Sequence, residues 1–457
     1  MSIENTLARL TEVLGDRLSR SKADLDHHGQ SETHFAPAPP DGVAWPETTE
    51  EVARIARICS EEGCPIIGWG AGTSLEGHAL ATRGGLTVDF GRMNRVLNVN
   101  AEDMDVVVQP GITRSALNEE LRATGLFFPV DPGADASIGG MAMTRASGTT
   151  TVRYGTMRDN VKALEVVLAD GRVIRTGNRA RKSSSGYDLT GLFVGSEGTL
   201  GLVTELTLKL HGQPEAISAA ICAFDGMGPA VDAVTETIQT GVPMARIEFI
   251  DGATVRAVNA HSGLDLPETP HLMVEFHGSD RGAAEDAARF AEIAREHGAK
   301  NIERAVRTED RNRLWKARHD AYWAILAAHP GKTGYVTDVC VPISALARAV
   351  AETEADIAAS GIPGPIAGHV GDGNFHSILI VDPGDPAQHD IALALSHRMA
   401  ERALRLGGTV TGEHGVGLGK RRYMEAEHGE GWAVMGQLKR ALDPANLMNP
   451  GKLVPDN

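Results

Sequence analysis

Two histidines bracket a glycine-rich turn in the stretch Gly368 to His376, which reads Gly-His-Val-Gly-Asp-Gly-Asn-Phe-His. Asp372-Gly373 is a pair that accepts the positive φ angles of a two-residue hairpin turn. The stretch is therefore expected to form a β-hairpin in which Gly371 faces Asn374, Val370 faces Phe375, and His369 stands directly opposite His376. Cross-strand partners carry Cβ atoms ~4.5–5.5 Å apart on one face, a bite suited to two imidazoles holding one divalent metal. A lone histidine beside a tight turn is usually just a surface residue; the pairing argues otherwise. Thr411-Gly412-Glu413-His414-Gly415 adds a carboxylate, Glu413, as third ligand and a spare histidine, His414, as a base beside it. Mixed nitrogen and oxygen donors suit Zn²⁺ or Mn²⁺, with open positions left for a substrate.

The elements that must position these groups begin with the hairpin's own strands, an apolar run at 362–366 and another at 377–381. Ahead of them the chain carries three glycine-rich segments. Strand 65–68 runs into Trp69, Gly70, Ala71, Gly72, Thr73, Ser74 and Leu75, a cradle of backbone amides for phosphate oxygens. It is not a dinucleotide fingerprint, because the third glycine would fall on Thr73, and it lacks a P-loop's Gly-Lys-Ser/Thr ending. Residues 131–140 form the second segment, continued through 146–148 to 153–155; residues 195–201 form the third. Each could be a tight turn in a β-rich domain, but three within the first 210 residues point to a long, phosphorylated ligand lying across loops. From Gln213 the texture changes to strands at 216–224, 245–250 and 271–277 alternating with helices at 281–297, 310–328, 345–360 and 388–406. This is a second domain of α+β type, and it owns the histidine hairpin. The Pro/Gly-rich stretch 443–452 reads as an ordered turn. The expected layout is residues 1–212 with a returning segment 420–457, and 213–419 inserted as a cap.

At 457 residues the chain exceeds one ordinary core. With 44 Lys plus Arg against 60 Asp plus Glu, its net charge of −16 disfavours nucleic acid. An anionic substrate then needs a local cationic pocket. Four cysteines without a CxxC pair suit a reduced, cytoplasmic setting. Acidic residues among the first twenty argue against a secretory signal. No run approaches the ~18 apolar residues of a membrane span. A homodimer is compatible with the sequence.

Eight segments, taken in order, resemble FAD-linked oxidases and dehydrogenases of the vanillyl-alcohol-oxidase type. They are 68–74, 131–135, 147–149 with 154–157, 195–201, 246–249, 368–376, 412–417 and 449–452. The nearest branch in appearance is the cytochrome-type D-lactate dehydrogenases, with D-2-hydroxyglutarate dehydrogenases and glycolate oxidase flavin subunits as relatives. The resemblance implies an α+β fold: a two-part FAD-binding domain with an α/β cap for substrate. It implies that Gly70, Ala71, Gly72, Thr73, Ser74 and Leu75 wrap the FAD pyrophosphate. Pro132, Gly133, Ala134, Ser137, Gly139, Gly140, Gly148, Tyr154, Glu197, Gly198, Gly201 and Val203 would line the rest, with Asn449 near the ring. Covalent members carry histidine where this loop has Thr73, so the flavin is expected to be noncovalent. The family pattern also assigns the metal to His369, His376 and Glu413, the base to His414 and a carboxylate clamp to Arg318, with Glu248 supporting from behind. The implied reaction is oxidation of a D-2-hydroxy acid to a 2-oxo acid, electrons passing on to a cytochrome, an electron-transfer flavoprotein or a quinone. Thr337 stands where hydroxyglutarate relatives carry lysine, which favours a small monocarboxylate such as lactate; glycolate or D-2-hydroxyglutarate is the runner-up substrate. Two other classes compete: a zinc hydrolase, which would bind no flavin, and a flavoprotein subunit that only relays electrons.

Overall fold

The computed structural model describes residues 3–305 and 307–455. The chain divides into two compact units. The first comprises Met1–Ser147, Gly155–Gln213 and Glu413–Asn457; the second comprises Gly148–Tyr154 and Pro214–Gly412. The layout differs from expectation in two places. The return to the first unit begins at Glu413 rather than 420, and Gly148 to Tyr154 leave the first unit for the second. The second difference has a packing reason: Val152 lies against Ile247 and Gly371, and the Tyr154 hydroxyl bonds His277 Nδ1 at 2.7 Å.

In the first unit, Ile66–Trp69 and Gly42–Ala44 flank Leu86–Asp89 in parallel, and Leu18–Ser19 adds an antiparallel edge. The helix Thr49–Glu62 starts at an N-cap, Thr48, whose side chain accepts from Glu51 N, and ends on Gly63 in the left-handed region. Its buried stripe of Val52, Ile55, Ala56 and Cys59 packs beneath Ile66, Leu86 and Val88. A five-stranded antiparallel sheet follows, in the order Val96–Asn100, Asp105–Val108, Leu202–Lys209, Val161–Val167, Val173–Arg175. The tail adds to the first sheet: Ile66 N donates to Leu447 O and Asn449 N donates to Ile66 O, both at 2.8 Å.

The second unit is an eight-stranded sheet with helices on both faces. Its order is Lys300–Ala305, Ala216–Ala223, His271–Gly278, Met244–Ile250, Ile366–His369, Asn374–Val381, Thr333–Val336, with Val339–Cys340 also pairing the 374–381 strand. Met227–Gln239, Asp280–Glu296, Ile343–Ser360 and Pro386–Arg405 cover one face, around Phe249, Phe276 and Phe375. Gly252–Ser262, Thr308–His319 and Ala321–Ala327 cover the other. The expected 310–328 helix is thus two helices meeting at Asp320. Sequence reasoning also missed the helices 227–239 and 252–262; ahead of Glu413, Thr409 makes an isolated bridge to Cys340.

Candidate metal and flavin sites

Side chains alternate sides along a strand, and one side of the second unit's sheet carries a polar row. Arg246 lies opposite Glu275 of the neighbouring strand, and His277 is two residues further along the same face. Two residues along from Arg246 is Glu248, fully buried. Next in the row come His369 and then His376.

The hairpin that carries the histidines is not in the expected register. His369 pairs with Asn374 and Ala367 with His376, so the connection is the four residues 370–373 rather than Asp372-Gly373 alone. A shift of two leaves every side chain on its original face. The histidines are therefore diagonal neighbours on one side, ring centroids 5.6 Å apart. What sets the register lies elsewhere in the chain. Val341 N donates to Gly373 O at 3.0 Å, and Asn374 Nδ2 donates to Asp338 Oδ1 at 2.7 Å and to Val339 O at 2.8 Å.

Both imidazoles are pinned at Nδ1, His369 by Glu248 Oε1 at 2.6 Å and His376 by the Thr337 carbonyl at 3.0 Å. An ionised carboxylate and a carbonyl only accept, so each Nδ1 carries a proton, and Nε2 is the nitrogen that the neutral imidazole offers to a metal. That is the arrangement of metal-ligating histidines. Asp338 Oδ2 accepts from Thr411 Oγ1 at 2.6 Å and Gly412 N at 2.9 Å, which fixes where the following residue, Glu413, begins. One potential ligand atom from each of His369, His376 and Glu413 lies within 4.8 Å of the others. The donor set fits a divalent cation. Glu413 Oε2 also accepts from Ser147 Oγ at 3.2 Å. His414 follows, partly buried.

Arg318, on the helix Thr308–His319, is no ordinary surface charge: its side chain is 15 % exposed and Nη2 lies 2.6 Å from Glu248 Oε2. One turn earlier, Trp315 packs under Arg246, whose guanidinium carbon is 5.0 Å from the ring centre. Arg246 faces Glu275 at 3.7 Å, and Glu275 takes a 2.7 Å hydrogen bond from His277. Burial pushes the Glu275 carboxyl up, but His277 and Arg246 outweigh it and hold it below the usual range. Burial likewise raises Tyr154, the next member of this chain. Glu275, His277 and Asp338 were not singled out in the sequence; for Asp338 the available signal was its place beside Thr337. Thr337 Oγ1 accepts from Ser377 N at 2.8 Å and donates to Ser377 O at 3.2 Å, so the side chain braces a strand.

In the first unit, the loop 70–75 leaves strand Ile66–Trp69 with Gly72 at φ +71°, its Cα against the Trp69 ring. Gly70 abuts Ser137: a Cβ there would lie 2.1 Å from Ser137 Oγ. Ser137 in turn caps Ile138–Thr144 through Gly140 N, and Gly139 presses on Pro110. The first and second glycine segments are thus stitched together at Ser137. At Gly133 and Gly198 a Cβ would meet no protein atom within 4 Å, so the backbone there is approachable, as a flavin cradle requires. Gly201 and Val203 instead serve the sheet: Gly201 lies against Val166 and Val167, and Val203 is core. Glu197, at φ +55°, accepts from Val416 N at 2.6 Å and Gly417 N at 2.9 Å, while Asn449 Nδ2 bonds the carbonyls of His78 and Glu197.

The family profile described as the C-terminal domain of FAD linked oxidases matches residues 213–453, and that of the FAD binding domain matches 40–177. The chain belongs to the FAD-linked oxidases. It is 49 % identical to a probable mitochondrial D-lactate dehydrogenase of Danio rerio, covering 99 % of this chain and 92 % of that one. It is 44 % identical to the mitochondrial D-lactate dehydrogenase [cytochrome] of Arabidopsis thaliana, over 98 % and 80 % of the two chains. A solved p-cresol methylhydroxylase matches with a TM-score of 0.78 at 15 % identity, over 98 % and 96 % of the chains, which speaks for the fold alone. That fold is the two-domain FAD-binding type of vanillyl-alcohol oxidase. This FAD-linked oxidase has Thr73 in its first glycine loop, a residue that cannot form a histidyl linkage to flavin. No helix among the described residues is long and apolar enough to cross a membrane.

Proposed function

We propose that this FAD-linked oxidase oxidises D-lactate, or a D-2-hydroxy acid of similar size, to the 2-oxo acid, using noncovalent FAD and a divalent ion, Zn²⁺ or Mn²⁺. The observation that carries the reading is the pair of histidines pinned at Nδ1, with Glu413 within reach and Arg318 joined to them through Glu248. The identity to D-lactate dehydrogenases supports the substrate. When bound, FAD supplies the two-electron acceptor and the divalent ion a Lewis acid for the hydroxyl oxygen. Arg318 holds the substrate carboxylate through its planar fork and so sets which face of C2 is presented. His414 takes the hydroxyl proton on an imidazole nitrogen. His369, His376 and Glu413 hold the ion, and Asp338 keeps Glu413 in range. A cytochrome, the acceptor in the Arabidopsis relative's name, is the first choice for reoxidation, with an electron-transfer flavoprotein or quinone as alternatives. Four free cysteines suit a reducing compartment, whether cytoplasm or the mitochondrial setting named for the relatives.

The test is anaerobic mixing of the purified yellow protein with D- and L-lactate. D-lactate should bleach the flavin and L-lactate should not. A chelator should stop the bleaching, and Zn²⁺ or Mn²⁺ should restore it. Flavin reduction that survives exhaustive metal removal rejects the metal's role; no reduction by any D-2-hydroxy acid rejects the substrate class.

A further inference from the structure

Glu248 is shared. One carboxylate oxygen takes the His369 Nδ1 proton at 2.6 Å, and the other lies 2.6 Å from Arg318 Nη2. The side chain is fully buried, so bulk water does not screen either contact. Its position is set by the sheet. Glu248 projects from Met244–Ile250 between the strand that bears His369 and the helix that bears Arg318. The two groups therefore draw on one negative charge.

We infer that Glu248 is a positioning residue that links the grip on the metal ligand to the grip on the substrate carboxylate. The inference rests on the metal reading above and deepens it. With a cation held by its ring, His369 would have a more acidic Nδ1–H and would draw the Glu248 charge towards the imidazole. The pull on Arg318 weakens, and the guanidinium turns its charge to an incoming carboxylate. Linkage makes the converse hold: occupying or removing Arg318 changes metal affinity by the same route. Substrate capture thus becomes conditional on metal occupancy, although Arg318 is not a ligand.

The experiment measures Mn²⁺ dissociation constants on flavin-loaded protein, by counting free Mn²⁺ with electron paramagnetic resonance. Wild type, Arg318→Leu, Glu248→Gln and the double variant are compared, with the flavin spectrum as the check on folding. Removing Arg318 takes away one claimant on the Glu248 charge and leaves more of it to His369, so Arg318→Leu should tighten Mn²⁺ about five-fold or more, the lower end of site-to-site couplings. Glu248→Gln should weaken it about 10–100-fold, as loss of a ligand's supporting carboxylate does. On that background Arg318→Leu should add nothing. An unchanged constant in Arg318→Leu overturns the inference, and that outcome needs no Glu248 variant. Tightening that persists in the double variant also overturns it, since the effect would then be the direct field of the arginine. Wild type that binds neither Mn²⁺ nor Zn²⁺ overturns the metal reading itself, an outcome distinct from the other two.

Discussion

At the scale of single residues, the site is held by buried carboxylates that stand outside the proposed ligand set. Asp338 is the clearest case. Three donors converge on it: Asn374 Nδ2, Thr411 Oγ1 and Gly412 N. It therefore ties the hairpin to the segment that presents Glu413. Asp338→Asn keeps the shape but turns an NH₂ towards one of those donors, leaving a buried group unpaired at about 1–3 kcal/mol. The expected outcome is metal affinity down about 10–100-fold with FAD retained at full stoichiometry, read by metal analysis and flavin absorbance. Unchanged metal content in a folded Asp338→Asn protein would show that Glu413 reaches the histidines without this tie. His414→Ala should behave in the opposite way, keeping the metal while flavin reduction by D-lactate slows about 10²–10⁴-fold, the usual worth of a positioned base. Metal lost with His414 would make it a ligand.

Among elements, the hairpin shows what local sequence conveys and what it does not. The expected two-residue turn placed His369 and His376 on one face, and they share it only because the observed register differs by an even number of residues. The turn itself was misread from Asp372-Gly373. Its four-residue form depends on Val341 and Asp338, more than thirty residues upstream, and no local propensity encodes those partners. Gly373 sits at φ +78°, and a Cβ would lie 2.0 Å from the Val341 carbonyl oxygen. Gly373→Ala therefore cannot keep both the turn and the Val341 contact. It should lower the melting temperature and disorder the histidine pair, seen as loss of bound metal with the flavin still present. Gly298→Ala, equally left-handed at φ +83° but with nothing within 4 Å, is the control: it incurs the backbone strain without the clash and should retain metal. The same contrast explains the other misses. Long amphipathic helices such as Asp280–Glu296 were legible to within a residue or two. The helix Gly252–Ser262, anchored by Asp251 through Thr254 N and Ile366 N, depends on a strand more than a hundred residues away. The glycine-rich turns were legible because glycine spacing is local; the places of Gly201 and Val203 in the sheet were not.

On the scale of the whole molecule, the first unit is closed by its own C-terminal segment, and Glu197 is where that closure meets a titratable group. Buried and left-handed, it spends its carboxylate on Val416 N, Gly417 N and the His78 ring, whose Nε2 is 3.2 Å away. Burial pushes its carboxyl up; the His78 imidazole and the two backbone donors outweigh burial and hold it below the usual carboxylate range. The sign of the linkage follows. The folded chain holds this proton less tightly than the unfolded chain does, so the clamp contributes fully above the unfolded value of about 4.3. The contribution is lost as pH falls through the lower folded value. Lys452, bonded to the Leu80 carbonyl and to Asn449 Oδ1, fastens the same segment to residues just past the first glycine loop. Loosening the clamp should therefore release flavin as well as lower stability. Glu197→Gln should melt lower than wild type at pH 7, where two buried amides lose a charged acceptor. The difference should shrink as pH falls below about 4, because wild type then protonates the same group. Melting curves followed by flavin fluorescence across pH 3–7 test both halves. A gap that stays constant down to pH 3 would mean that Glu197 acts by shape and not by charge.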